Sequence, residues 1–385
     1  MSAPFFGGNR LQLLSSGAAY FPALLQAIDA AQIAVYLETY IFANDETGKS
    51  VAAALVRSAK RGVAVHLLVD GFGSKDMPER LRQELLDAKV QILIYNPKIS
   101  PFALKRRSLR RMHRKLVAID RRVAFIGGIN IIDDMNAPGH MHPRYDYAVC
   151  VEGALVESVH LEVERLWRRV AWVNFRWRWR HKVLAPVCAV DGNQRAVLVV
   201  RDNLRHRFDI ENAYLEAIGK AKSEIVIANA YFFPGRRFRR ALRQAVERQV
   251  RVVLLLQGRM EYMLFHYATR ALYGPLLEAG VEIYEYHKSF MHAKVAVIDQ
   301  NWATVGSSNI DPFSLMLARE ANIVVDDFSF TQELRGSLYR SIAEGAQVVE
   351  KSMWYRQPLW RRLIIWSAYG ITRLALGLVG HGWTH

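Results

Sequence analysis

Cysteine is nearly missing from this chain. Cys150 and Cys188 are the two present in 385 residues, and they show no metal-ligand spacing; each reads as a small apolar side chain in a packed interior. There is no Walker-type glycine loop to cradle a nucleotide phosphate and no serine nucleophile elbow. Met1 to Leu14 lacks the basic-then-apolar pattern of a signal peptide, so synthesis in the cytoplasm without cleavage is expected. Carboxylates are outnumbered, 36 Asp and Glu against 52 Lys and Arg, leaving a net charge of +16. Long apolar runs are missing as well, apart from Leu363 to Gly380, eighteen residues with one charge, Arg373. A membrane-spanning helix needs about 20 mostly apolar residues. With Gly370, Gly377 and Gly380 inside it, that segment is expected to lie in a membrane interface.

The length exceeds the roughly 250–300 residues at which a single core stops growing, so two domains are expected. Apolar content of 51% and charged content of 23% are ordinary for a globular protein and exclude extensive disorder.

What the chain does contain is a motif written twice. His113, Lys115 and Asp120 are followed by Gly127, Gly128 and Asn130; His292, Lys294 and Asp299 are followed by Gly306, Ser307 and Asn309. Each asparagine falls seventeen positions after its histidine. The runs Leu116–Ile119 and Val295–Ile298 read as short strands ending at an Asp and a turn. On a strand, residues i and i+2 project from one face, so each copy presents an imidazole and an ammonium to the same ligand. By that alternation Asp120 and Asp299 fall on the opposite face, better placed to brace the turn than to attack. A single His-x-Lys pair would be unremarkable; recurrence with the same tail points to one site built from two halves. Phosphate-ester chemistry needs such a pair, a nucleophile on one side of phosphorus and a proton donor on the other. Lysine is a poor metal ligand near neutral pH and suits a phosphate oxygen as a compact cation. The site therefore reads as metal-free and cofactor-free.

The duplication extends beyond the motif. Gly62–Gly71 aligns with Gln249–Gly258, Leu85–Val90 with Leu276–Val281, and Tyr40 with Tyr231. Each half reads strand, helix, strand, helix, strand and then the motif strand, with nearly continuous apolar strands. The expectation is α/β: a pseudo-twofold pair of domains, each a mixed, mostly parallel sheet flanked by helices, with one composite active site. The expected bounds are 1–182, 183–350 and a tail at 351–385, the junction falling near 183–196 at Pro186 and Asp191-Gly192-Asn193.

Cations cluster. Ile99 to Lys115 holds seven with no acid, and Arg165 to Lys182 holds seven more among Trp167, Trp172, Phe175, Trp177 and Trp179. Such patches suit nucleic-acid phosphates or anionic lipid headgroups. The aromatics favour lipid: eight of nine Trp lie in 167–179 and 354–383, beside arginine, the composition of an interface belt. The first stretch reads equally as an amphipathic helix packed on its domain.

Both copies match the duplicated H-x-K-x4-D-x6-G-[GS]-x-N signature in full, and the chain resembles the phospholipase D superfamily. Over nearly its whole length it is similar to the bacterial B-type cardiolipin synthases, including Gly8–Leu14, Arg111–Lys115 and Trp302–Asn309. The resemblance implies a phosphatidyl group passed through a histidine intermediate to an alcohol, two phosphatidylglycerols giving cardiolipin and glycerol. It implies a catalytic set of His113, Lys115, Asp120, His292, Lys294 and Asp299, with His113 as nucleophile and His292 as acid and base. Asn130 and Asn309 then hold phosphate oxygens with the lysines, and Asp146 and Glu320 orient the histidines. The implied partners are anionic phospholipid and the membrane surface, with the protein peripheral on the bacterial inner membrane. A nuclease of the superfamily would share the site but has no use for a Trp-rich apolar tail. A lipid hydrolase using water stays open, and a non-catalytic scaffold would need neither complete motif.

Overall fold

The computed structural model describes residues 4–97, 110–137, 139, 141–176, 192–202, 205–260, 263–311 and 318–379. The basic residues at 105–107, Trp177, Trp179, Pro186, Cys188 and most of the expected junction lie outside them.

The first half contributes β1 (Phe6–Ser15), α1 (Ser16–Asp29), β2 (Ala34–Thr39), α2 (Glu46–Lys60), β3 (Ala64–Asp70), α3 (Glu79–Asp87) and β4 (Gln91–Tyr95). It continues through β5 (Arg111–Met112), the first motif strand β6 (Lys115–Ile119), β7 (Val123–Gly127), β8 (Arg144–Tyr145), β9 (Tyr147–Gly153) and α4 (Leu155–Val173). The second half repeats the plan. It runs β10 (Gln194–Arg201), α5 (Asp209–Lys220), β11 (Glu224–Asn229), α6 (Arg236–Glu247), β12 (Arg251–Gln257), α7 (Met263–Arg270), α8 (Tyr273–Glu278) and β13 (Glu282–Tyr286). Then come β14 (Phe290–Met291), the second motif strand β15 (Lys294–Ile298), β16 (Trp302–Gly306), β17 (Ala318–Asp326) and α9 (Phe328–Gly345). A short edge strand β18 (Ala346–Val348) and the tail helices α10 (Lys351–Tyr355) and α11 (Leu359–Val379) follow.

One mixed sheet carries both halves, in the order β18-β13-β12-β11-β15-β16-β17-β10-β1-β9-β7-β6-β2-β3-β4. Outward from the antiparallel β1–β10 seam, the two directions repeat: β9 answers β17, β7 answers β16, β6 answers β15, β2 answers β11, β3 answers β12 and β4 answers β13. The ladders β2–β3–β4 and β11–β12–β13 are parallel, and each motif strand joins its half antiparallel, β6 to β2 and β15 to β11.

Alternation along the motif strands explains the layers. Leu116 and Ala118 of β6, with Val295 and Val297 of β15, belong to a single apolar layer beneath both halves, roofed by Val159 and Val163 of α4 and Leu334 and Leu338 of α9. Val117 and Ile119 turn instead to the core under α1, α2 and α3, and Ala296 and Ile298 to the core under α5 and α6. Trp167 sits in the shared layer at 1% exposure, whereas Trp172 and Phe175 at the end of α4 are open to solvent. The Arg165 stretch is thus a packed helix as far as Val173. Cys150 is a half-buried, unpaired thiol on β9. Among the described residues, no helix is long and apolar enough to cross a membrane.

Candidate active site

Each motif strand is preceded by a two-residue strand that crosses to the opposite half. β5 pairs in parallel with β17, and β14 with β8. The exchange continues into the motif: the His113 backbone N–H donates to Arg319 O at 3.0 Å, and that of His292 to Tyr145 O at 2.8 Å. Each histidine is therefore delivered to the carboxylate of the other half. His113 Nδ1 lies 3.0 and 3.2 Å from the two oxygens of Glu320, and His292 Nδ1 lies 2.7 Å from Asp146 Oδ2. With Nδ1 engaged, Nε2 is the ring nitrogen left for a ligand. The carboxylate side chains are 0% and 6% exposed, while the imidazoles keep 18% and 13%. The acids are enclosed and the histidines are reachable.

The motif's glycine-or-serine position differs between halves for a reason set by these carboxylates. A Cβ on Gly128 would sit 2.4 Å from Asp146 Oδ1, so only glycine lets the short acid approach. The corresponding Ser307 donates its hydroxyl to Glu320 Oε2 at 2.5 Å.

Both motif lysines are buried, with Nζ donating to the backbone oxygen of its own histidine, Lys115 to His113 and Lys294 to His292. Lys294 also stands 3.6 Å from Asp146 Oδ2. Burial pushes the Lys115 ammonium down to about 7. His113 is lowered by burial against the pull of Glu320, and His292 is held well below its usual value by burial and then by Lys294, Lys115 and Arg144. Burial raises Asp146, whereas for Glu320 the opposing effects of His113 and Lys115 outweigh burial and hold it low. Burial thus biases both imidazoles toward the neutral form, and an anion among these groups raises every cationic pKa in the site.

Asn130 and Asn309 are buried at the same site. Asn130 Oδ1 accepts from Ile41 N at 3.0 Å, which leaves its amide nitrogen to donate; Asn309 Oδ1 has no protein partner among the described residues. Tyr40 packs edge-on to His113 at 4.9 Å, with the Lys115 ammonium 5.5 Å from the Tyr40 ring. On the other side Phe290 stacks on His292 at 5.9 Å and carries the Arg144 guanidinium 5.1 Å from its ring. Of these flanking groups the sequence alone marked only Tyr40, through its alignment with Tyr231; Phe290 and Arg144 carry no periodic or motif signal.

Asp120 and Asp299, expected in the catalytic set, are at the far end of their strands, about 16 Å from the lysines at 3.3 Å rise per residue. The Asp120 carboxylate accepts from the backbone N–H of Gln32, Ile33 and Ala34 at 2.7–2.9 Å. Asp299 does the same for Lys222, Ser223 and Glu224 at 2.8–3.0 Å. Both residues have φ above +50°, which Asp tolerates better than most side chains. They brace the start of β2 and β11 through these backbone contacts. Asp120→Ala is expected to cost about 1.5–3 kcal/mol for its charge-assisted hydrogen bonds. The outcome is a lower melting temperature with kcat per folded molecule nearly unchanged, read by calorimetry and active-site titration.

Behind the first motif, Arg114 is fully buried between Glu38, at 2.6 and 3.0 Å, and Glu162 of α4, at 2.6 Å. The second half has Ala293 and Ala228 at the corresponding positions, so this ion set ties only β6 to β2 and α4. No spacing in the sequence announces it. Among the described residues, no group of His, Cys, Asp and Glu is arranged to hold a metal ion.

Two α/β halves that bring their His-Lys pairs together at one site define a protein of the phospholipase D class. The family model described as "Cardiolipin synthase, PLD-like domain" matches residues 24–167 and 214–341. The chain is 41% identical to cardiolipin synthase B of Escherichia coli K12 over 374 residues, 97% of this chain and 90% of that protein. It is 29% identical to cardiolipin synthase 1 of Bacillus anthracis, covering 90% and 72%. Among solved structures, phosphatidylserine synthase of Haemophilus influenzae has the same fold, with a TM-score of 0.69 at 12% identity over 98% of this chain and 96% of that one. The chain belongs to the cardiolipin synthase family of phospholipase D-like proteins.

Proposed function

We propose that this protein is a cardiolipin synthase that passes a phosphatidyl group from one phosphatidylglycerol to another through a phosphohistidine. The carrying observation is the exchanged pair, two histidines from opposite halves, each tethered at Nδ1 and each beside a buried lysine. His113 Nε2 attacks phosphorus, the bond from phosphorus to the glycerol oxygen breaks, and His292 gives that oxygen its proton. The hydroxyl of the second phosphatidylglycerol then returns a proton to His292 as its oxygen attacks phosphorus and the P–N bond breaks. Lys115, Lys294, Asn130 and Asn309 hold the phosphoryl oxygens and offset their growing charge. His292 takes the proton it needs from water when the substrate binds, since the anionic phosphate counters the lysines that depress it. The order of roles follows the family resemblance.

In this reading residues 1–182 and 183–350 are the two catalytic halves, and 351–385 attach the protein peripherally to the inner membrane. Labelled phosphatidylglycerol is expected to yield cardiolipin and free glycerol in equal amounts, with EDTA leaving the rate on a soluble short-chain phosphodiester unchanged. Phosphatidic acid as the sole lipid product would make the protein a hydrolase, and loss in EDTA restored by one divalent ion would overturn the lysine-based site.

A further inference from the structure

The tail helix α11 is apolar on two sides at once. Ile365, Ala368 and Thr372 are buried, packed toward α7 and the core of the second half. Leu359, Trp360, Leu363, Trp366, Ile371 and Leu374 all face solvent, Leu359, Leu363 and Leu374 at 67–75% exposure. At 100° per residue these six, with Ile364, share an arc of about 160° that contains no charge. Arg362 and Arg373 border one edge of the arc, and Arg361, in the first turn, lies on the side of Ala368 and Thr372. A helix apolar all round belongs in a core or in lipid, and this one is only half in the core.

A second element runs beside it. The Tyr369 ring packs on Phe233 at 5.6 Å, and Arg239 of α6 lies within electrostatic reach of Tyr369 and Arg373. From that edge α6 turns outward a row of exposed arginines, Arg236, Arg237, Arg240 and Arg243, while Phe238 and Leu242 anchor it in the core. Its one acid, Glu247, is the last residue of the helix. Met263 and Leu264, at the start of α7 on the other side of α11, are exposed as well.

We propose that α6 and α11 form one docking face for an anionic bilayer, in which α11 enters the interface and the arginine row of α6 selects negatively charged headgroups. The observation favouring a bilayer over a second protein copy is the charge pattern: an uncharged apolar stripe edged by Arg362 and Arg373, with the exposed arginines of α6 beyond that edge, is self-repelling against its own copy and complementary to anionic lipid. This deepens the membrane part of the proposed function, because it places lipid selection on a helix remote in sequence from the tail. It rests on the tail meeting lipid but not on the reaction catalysed.

The test uses the full chain, flotation with vesicles of phosphatidylglycerol and phosphatidylcholine mixed or of phosphatidylcholine alone, and hydrolysis of a soluble phosphodiester as the control for folding. The combined change Arg236→Gln, Arg237→Gln, Arg240→Gln and Arg243→Gln is expected to weaken binding to the anionic vesicles at least tenfold. The ceiling is about a thousandfold if all four cations act fully at the surface. Binding to neutral vesicles changes little. Leu363→Ser with Trp366→Ser and Ile371→Ser lowers binding to both kinds of vesicle. Unchanged preference for anionic vesicles in the arginine variant overturns the selecting role of α6. A dimer lost in the serine variant while vesicle binding persists makes the face a contact between copies instead. Wild-type protein that binds anionic vesicles through these residues but forms no cardiolipin leaves this inference standing and removes the reaction.

Discussion

His113→Ala gives a folded protein with no measurable conversion of phosphatidylglycerol, and His292→Ala does the same. Removing a positioned acid or base costs about 10²–10⁴-fold, and removing the nucleophile closes the covalent route altogether. Each half supplies one group without an understudy, since the other histidine is held by a different carboxylate. Product assays with labelled lipid, alongside calorimetric melts, read the result, and substantial turnover in either variant would sink the composite site. The two variants also separate the roles. With a good leaving group, His292→Ala accumulates a base-stable, acid-labile phosphohistidine on His113, because the adduct forms but no base activates the acceptor. An adduct found instead on His292, in the His113→Ala protein, reverses the assignment.

Glu320→Gln and Asp146→Asn lower kcat by roughly 10²–10⁴-fold while the histidines stay in place, an effect of the size expected when a carboxylate no longer fixes a catalytic imidazole. The exchange makes a sharper statement. Glu320→Gln disturbs the step served by His113, although Glu320 belongs to the second half, and Asp146→Asn disturbs the step served by His292. Single-turnover kinetics distinguish them: Glu320→Gln slows formation of the adduct, and Asp146→Asn slows both glycerol release and transfer to the acceptor. If each acid instead affects the step of the histidine in its own half, the pairing seen here is not the working one.

The repeated motif, the strand–helix plan of each half and the stand-apart position of Asp120 and Asp299 were legible because they depend on local periodicity. Lys115 to Ile119 and Lys294 to Ile298 extend the anticipated strands by one residue. Asp146 and Glu320 stood out only through the family resemblance, and which histidine each contacts could not be read, since the partners are 207 and 146 positions apart and the choice is made by β5 and β14 crossing between halves. The Gly128 and Ser307 difference looks like tolerated variation until the lengths of Asp146 and Glu320 are set against it. Arg114 was hidden because an arginine beside a lysine reads as one more surface cation, and its partners come from β2 and α4. The arginines of α6 drew no notice for the opposite reason: they form an ordinary solvated helix face until α11 is laid next to them.

The crossing of the two halves also bears on how the chain is made. Domains that leave the ribosome first fold first, so a nascent chain carries His113 and Lys115 long before Glu320 exists, and Asp146 before it has an imidazole to hold. Neither half alone possesses a tethered histidine. In the proposed mechanism the nucleophile is thus tethered only when β17 of the second half docks, and a chain arrested before that point is expected to leave phosphodiesters intact.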